Sequence, residues 1–282
     1  MEIDVENIAT AHEMVVAKIM KACREVDIET SPGKWEKTWE YPDAVMTIIR
    51  RPQQLPQVSE ACSFGPGFIA QYKDDLCHLK LRNQYPDGEA PVYTYPWRLM
   101  DHPIVVEEPN PCLGGRKFSI RGNGDGRGIN QIDQIVKRLL DSQESRRANA
   151  VTWVPEIDGN ATHDQPCLQV AHFLVRDGID DPKCPKEDEN TLYLHGRFFF
   201  RSHDMLGGAG ANWVGLCGLM EMIAGRLKYL AGDEKNIGPG EVGVKVGSLT
   251  TCSSSAHLYW KRDESDLDKF RAYLFKKYRM YL

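Results

Sequence analysis

Residues 207–227 constrain the fold more tightly than any other stretch of the chain. Gly207-Gly208-Ala209-Gly210-Ala211 is followed by Trp213, Leu216, Cys217, Met220, Ile223 and Leu227 at helical spacing. A glycine-rich turn therefore opens a helix apolar enough to be buried, and such a helix needs other layers to cover it. Runs rich in β-branched and aromatic residues at 168–175, 192–201 and 242–249 supply strands on both sides of it in sequence. The expected class is α/β.

The rest of the chain fills in around this frame. Residues 8–26 place Ile8, Met14, Val15, Ile19 and Ala22 at roughly helical spacing before Ser31-Pro32-Gly33 interrupts the pattern, which predicts an N-terminal helix. Residues 43–50 and 148–153 read as strands, and 130–140 as a helix with Ile132, Ile135, Val136, Leu139 and Leu140 on one face. Two stretches read as surface loops: 83–96, rich in turn-formers and tyrosine, and 177–190, rich in lysine and aspartate. A short strand around His257-Leu258-Tyr259 and a helix from about Ser265 end the pattern. No repeat, low-complexity segment or linker divides it, so one domain over 1–282 is expected.

A formal net charge of -5 gives no support to a broad affinity for nucleic-acid backbone. Any phosphate must be held by a local arginine cluster. The eight cysteines include no C-x-x-C pair, which argues against a zinc ribbon or a redox motif, and no metal site is expected. Glu2, Asp4 and Glu6 do not read as a secretory signal, and no apolar run approaches the length that spans a bilayer. The expectation is a reduced cytoplasmic protein with neither membrane nor nucleic acid as partner.

The glycine-rich turn alone is a weak phosphate signal, because it matches neither nucleotide-binding fingerprint and close packing explains it equally well. The residues around it are more specific. Ser145-Arg146-Arg147, Trp153, Pro166-Cys167, Arg201-Ser202-His203-Asp204, Asn212 and Ala256-His257-Leu258-Tyr259 occur in one order across residues 128–260. Pro91-Val92-Tyr93 and Trp97-Arg98 extend the series toward the N-terminus. In order and near-spacing this set resembles the thymidylate synthases, and its FRSHD and SxSAH-x-Y forms look most like the archaeal and related bacterial or phage branch.

The resemblance implies a mixed, strongly bent sheet flanked by helices, packed sheet to sheet in a homodimer with shared active sites. It implies one-carbon transfer to C5 of a pyrimidine deoxynucleotide, foremost dUMP to dTMP. Cys167 would add to C6 as a thiolate, its ionisation favoured by the positive charge of Arg201. Arg201 and Ser202 would hold the nucleotide phosphate, joined by Arg146 and Arg147 from the other subunit. Asn212 would read the base; phage enzymes acting on cytosine nucleotides carry aspartate there, so uracil is favoured. His257 and Tyr259 would hold the 3′-hydroxyl.

Glu60, Tyr93 and Asp204 complete the implied catalytic set, with Glu60 moving the proton at O4 through water and Asp204 also facing the carrier. Bland readings stand beside these: solvated charges for Glu60 and the arginine pair, and a helix cap for Asn212. The implied carrier is 5,10-methylenetetrahydrofolate or a methanopterin analogue. Leu168 replaces a common histidine, a tryptophan-bearing stretch before Tyr93 is absent, and the end (278–282) differs from the familiar closing tail. These departures leave two products open, a methyl and a hydroxymethyl pyrimidine nucleotide. A non-catalytic nucleotide- or RNA-binding protein on the same fold is the remaining alternative, and retention of Cys167 argues against it.

Overall fold

The computed structural model describes residues 1–31, 33–109, 116–159, 165–177, 191–233 and 243–282. Its strands are β1 (Glu2–Val5), β2 (Arg24–Ser31), β3 (Lys34–Glu40), β4 (Val45–Ile49), β5 (Ile104–Pro109), β6 (Arg116–Arg121), β7 (Asn149–Val151), β8 (Leu168–Asp177), β9 (Leu192–Phe200), β10 (His203–Asp204), β11 (Val244–Ser253) and β12 (Ala256–Leu258). Its helices are α1 (Ile8–Lys21), α2 (Pro66–Cys77), α3 (Tyr95–Met100), α4 (Gln131–Asp141), α5 (Pro155–Asp158), α6 (Ala209–Asp233) and α7 (Glu264–Tyr278).

A mixed six-stranded sheet, in the order β1-β4-β11-β9-β8-β7, forms the base of the fold. Its register shifts between Val246 and Leu249 of β11 and between Leu168 and Val170 of β8. Such irregularities bend a strand and raise its twist. The second one follows directly on Cys167. A smaller sheet, β10-β12-β3-β2, pairs His203 with Ala256 and Asp204 with His257, so that two motifs more than fifty residues apart become neighbours.

The central helix is α6, as its sequence requires. Trp213, Leu216, Cys217, Leu219, Met220, Ile223 and Leu227 are all buried, and they surround its axis because sheet, α1, α2 and α4 each pack against it. Two glycines set how closely α2 approaches. A Cβ on Gly215 would lie 3.0 Å from both Tyr72 and Leu76, and one on Gly218 would lie 2.7 Å from Lys73. Any side chain at these positions would push α2 outward, and Tyr72 with it. The core joins residues from Ile3 to Leu274.

The sequence reading needs four corrections. The N-terminal helix ends at Lys21, and residues 24–31 form β2, which pairs antiparallel with β3. The expected loop 83–96 contains the start of α3, where the Thr94 side chain accepts from the Trp97 amide as an N-cap. The final large strand extends to Ser253 instead of 249. Strands β1, β5 and β6 and helix α2 were not anticipated. Most of the expected loop 177–190 lies outside the described residues.

Candidate active site

Cys167 stands half-buried at the entry of β8, on a loop fixed from three directions. The Arg201 amide donates to the Cys167 carbonyl at 2.9 Å. The Arg201 guanidinium donates through Nε to the Pro166 carbonyl at 3.0 Å and through Nη2 to the Gln165 carbonyl at 2.8 Å. The Gln165 side chain donates in turn to the Asp158 carbonyl at 3.0 Å. Asp158 is itself buried against Arg98, with 2.8 Å between carboxylate and guanidinium. Arg201 is thus part of the scaffold of the thiol's loop.

Three phenols are electrostatically coupled to this thiol. Tyr95 Oη accepts from the Leu168 amide at 3.2 Å. The Tyr72 hydroxyl donates to Asn212 Oδ1 at 2.6 Å. Burial foremost, and then the negative charge of Cys167, push both hydroxyls above their ordinary range. Tyr259 is raised to about 12 by burial, by Asp204 and, more weakly, by Cys167. All three are therefore neutral donors at physiological pH. Tyr93 is half-buried, its ring 6.1 Å from that of Tyr95 in an edge-on arrangement. Tyr72, Tyr93, Tyr95, Tyr85 and Lys80 line a cavity of about 470 Å³.

Asn212 is in the first turn of α6, its amide bonded to the Gly208 carbonyl, so it is not the helix cap. Its Nδ2 lies 3.2 Å from His203 Nε2. His203 Nδ1 lies 3.0 Å from Ser253 Oγ, and the ring stacks on Phe200 with centroids 4.0 Å apart. The turn before α6 is shaped by Asp204: Oδ1 accepts from the Leu206 and Gly207 amides, and Oδ2 from Arg262 at 3.0 Å. Arg262 also covers the Tyr259 ring at 3.9 Å. Ser202 is half-buried between the two motifs.

His257 and Tyr259 meet edge to face with centroids 5.0 Å apart. His257 is buried, which lowers its basicity and leaves the ring neutral; Nδ1 faces the Ser255 carbonyl at 3.3 Å, and Nε2 is buried with no hydrogen-bond partner among the described residues. A buried imidazole nitrogen without a partner is unfavourable unless a ligand completes it. Arg146 and Arg147 are exposed between α4 and β7, and neither guanidinium makes an ion pair or hydrogen bond within the described residues. Glu60 is likewise exposed and takes no part in the bonds described above. Among the described residues no group of three or more histidine, cysteine or acidic side chains is arranged to hold a metal ion.

Sequence reasoning missed Tyr72, Tyr95 and the role of His203. His203 lies inside the Arg201–Asp204 motif and Tyr95 in the gap between Pro91-Val92-Tyr93 and Trp97-Arg98, whereas Tyr72 sits on α2 with no motif around it.

Comparison with known proteins places the chain in a family. A family model described as Thymidylate synthase matches residues 79–271. A protein of Methanocaldococcus jannaschii named "Putative thymidylate synthase" is 27% identical over 270 residues, covering 94% of this chain and 93% of its own length. A protein of the same name from Methanothermobacter thermautotrophicus is 29% identical over 270 residues, covering 91% and 92%. Another, from Methanopyrus kandleri, is 32% identical over 211 residues, covering 71% and 82%. With a family match over residues 79–271 and relatives that align over most of its length, the chain belongs to the thymidylate synthase family and is a one-carbon transferase.

Proposed function

We propose that this single-domain enzyme methylates C5 of dUMP, with Cys167 as the nucleophile. The observation that carries the reading is Asn212 held by Tyr72 and His203, with the Tyr72 hydroxyl electrostatically coupled to Cys167, whose loop is braced by Arg201. The thiolate adds to C6 of the uracil, and the ring then carries nucleophilic character at C5. Asn212 meets the N3–H and O4 edge. Tyr95, bonded to the Leu168 amide, keeps the thiol's strand end in place. Proton transfer at O4 is assigned to Glu60 through water, since Glu60 itself is at the surface. Tyr93 belongs to the catalytic set on the cavity side.

The phosphate is assigned to Arg201 and Ser202, with Arg146 and Arg147 reaching it from a partner subunit. A homodimer is supported by the sheet face turned away from α6. Met46, Cys252, Phe199, Val170 and Val151 form one row across five strands, each the register partner of the next. Met46 is 36% exposed, Phe199 41% and Val151 38%, an apolar stripe that a second sheet would cover. The sugar hydroxyl is assigned to Tyr259 and to the partnerless Nε2 of His257.

The carrier is assigned to the cavity beside Tyr93, and Asp204, in the turn before α6, is assigned to carrier binding. Tyrosine walls suit a flat pterin, and about 470 Å³ is within the size range of small-molecule sites. Methylenetetrahydrofolate or a methanopterin analogue, when bound, supplies the electrophilic one-carbon unit and, for methylation, the hydride. No helix of the described residues is long and apolar enough to cross a membrane, which is compatible with the cytoplasmic setting we assign.

Mass spectrometry of the nucleotide after incubation with methylenetetrahydrofolate and dUMP or dCMP tests the reading. The expected product is dTMP. A hydroxymethyl nucleotide would mean that the exocyclic methylene attached at C5 is hydrated in place of being reduced to methyl. Binding of nucleotide without turnover on either base would favour a non-catalytic role.

A further inference from the structure

A carboxamide presents one donor and one acceptor, and a half-turn about its terminal bond exchanges them. Uracil offers a donor at N3 and an acceptor at O4, whereas cytosine offers an acceptor at N3 and an amino donor. An asparagine facing that edge can therefore match either base, depending on which way its amide points. What fixes the amide also fixes the base.

In this chain the amide has a partner at each end. The Tyr72 hydroxyl donates to Oδ1 at 2.6 Å, and Nδ2 faces His203 Nε2 at 3.2 Å. Both partners are held on their inner sides. The His203 ring is buried and lies flat on Phe200, at 4.0 Å and 7° between planes, with Trp213 against its edge. Tyr72 is wedged on α6 at Gly215, with no space for its ring to retreat inward.

We infer that Tyr72 and His203 are positioning residues that lock the Asn212 carboxamide in one orientation and thereby make the site select uracil over cytosine. The inference rests on the proposed reading of Asn212 as the base-facing residue. Its proton inventory closes. Burial pushes His203 down to about 3, so its ring carries a single proton at neutral pH. Nε2 faces an N–H donor and must be the bare nitrogen, which puts the proton on Nδ1, where Ser253 Oγ accepts it at 3.0 Å. One lone pair on Oδ1 and one N–H on Nδ2 then remain for the base, as an acceptor for N3–H and a donor for O4. Reversing the amide would set Oδ1 against the bare Nε2, acceptor against acceptor, unless the ring proton also moved.

Two measurements test this. Nitrogen-15 correlation spectra of the unliganded wild-type enzyme, with the His203 signal assigned by its loss in His203→Gln, report the tautomer directly. The expected state is Nδ1 protonated and Nε2 bare at neutral pH; a proton on Nε2 would overturn the lock whatever the substrate proves to be. The second is Tyr72→Phe, which keeps the ring against Gly215 and removes only the hydroxyl. The ratio of kcat/KM for dUMP over dCMP should fall by about tenfold or more, the effect of one lost buried hydrogen bond. An unchanged ratio in a folded variant would overturn the inference. Inactivity of the wild type on both nucleotides would instead remove the proposed substrate and leave the tautomer to decide the lock.

Discussion

Glu13 and Asn212 are both polar groups folded into the interior of this protein, and their surroundings treat them in opposite ways. Glu13, on α1, is 0% exposed and has a donor on every side. Ser59 and Tyr273 donate to Oε1 at 2.9 Å, Lys277 reaches both oxygens at 2.9 and 3.0 Å, and Tyr278 donates to Oε2. The carboxylate is complete without a ligand, and it ties the end of α7 to α1. The cluster around Asn212 is rigid on its inner side and unfinished on the other. Asn212 retains a spare donor and acceptor, and His257 Nε2 nearby in the fold is buried with no partner among the described residues. A closed polar cluster serves stability; one left with unfilled donors and acceptors is a place for a ligand.

The comparison can be broken most severely from the open side. Arg147→Ala and Cys167→Ala should each be nearly inactive, while a mixture allowed to exchange subunits should regain part of the activity through heterodimers with one intact site. Absence of recovery after proven exchange would remove the shared site and the reading of the exposed arginine pair with it.

On the closed side, Glu13→Gln should reduce stability by about 2–3 kcal/mol, because the charged hydrogen bonds to Lys277 and the two phenols are weakened together. For a chain of this length that corresponds to a fall in Tm of roughly 5 °C. Turnover per folded molecule should be retained. A loss of turnover with unchanged Tm would make Glu13 part of the chemistry and erase the distinction.

Acid should separate the two clusters by pH window. Burial holds His203 far below its ordinary value of 6.5, so the unfolded chain takes up a proton first as pH drops below about 6.5, and stability falls from there. His12 and His257, also lowered by burial, act in the same direction. For Glu13, burial would raise the carboxyl, but the bonds from Tyr278, Lys277, Tyr273 and Ser59 outweigh it and hold the group below its ordinary 4.5. Its contribution is present above 4.5 and is lost as pH falls through the lowered value. A Tm profile of Glu13→Gln should therefore keep the wild-type slope between pH 6.5 and 4.5 and flatten relative to wild type below 4.5.

The smallest effect is the most specific. Asn212→Asp should move the preference between dUMP and dCMP by about tenfold toward dCMP, since a carboxylate accepts from the cytosine amino group and opposes O4 of uracil. Equal losses on both bases would show that residue 212 serves the fold of the α6 turn and not the choice of base.

The chemistry-bearing motifs were legible because each is short and carries its residues together. Arg201 to Asp204 and Ala256 to Tyr259 are neighbours in sequence, and β10 and β12 need only set them side by side. The strands and the buried helix were legible because β9, β11 and α6 are apolar enough to announce their period. Tyr72 was not. Its helix buries few hydrophobic residues, Ile69 and Leu76 among them, and its partner Asn212 is 140 residues away. Their meeting depends on Gly215 and Gly218, whose meaning appears only once α2 lies on them. The Glu13 cluster was hidden for the same reason: α1 and α7 join opposite ends of the chain, and no spacing connects them. The boundary between α1 and β2 was blurred because Ala22 and Val26 continue an apolar pattern past the helix end.

Release of tritium from dUMP labelled at C5, by wild type and by Cys167→Ala with binding of dUMP measured in parallel, tests the central claim most directly. Exchange at C5 requires a nucleophile at C6, whichever carrier and product follow. The expected result is carrier-dependent release by the wild type and none by the variant, which should still bind nucleotide because the thiol contributes little to ground-state recognition. Undiminished release by Cys167→Ala would contradict the account, since the atom at the centre of the open cluster would then not be the one that activates the base.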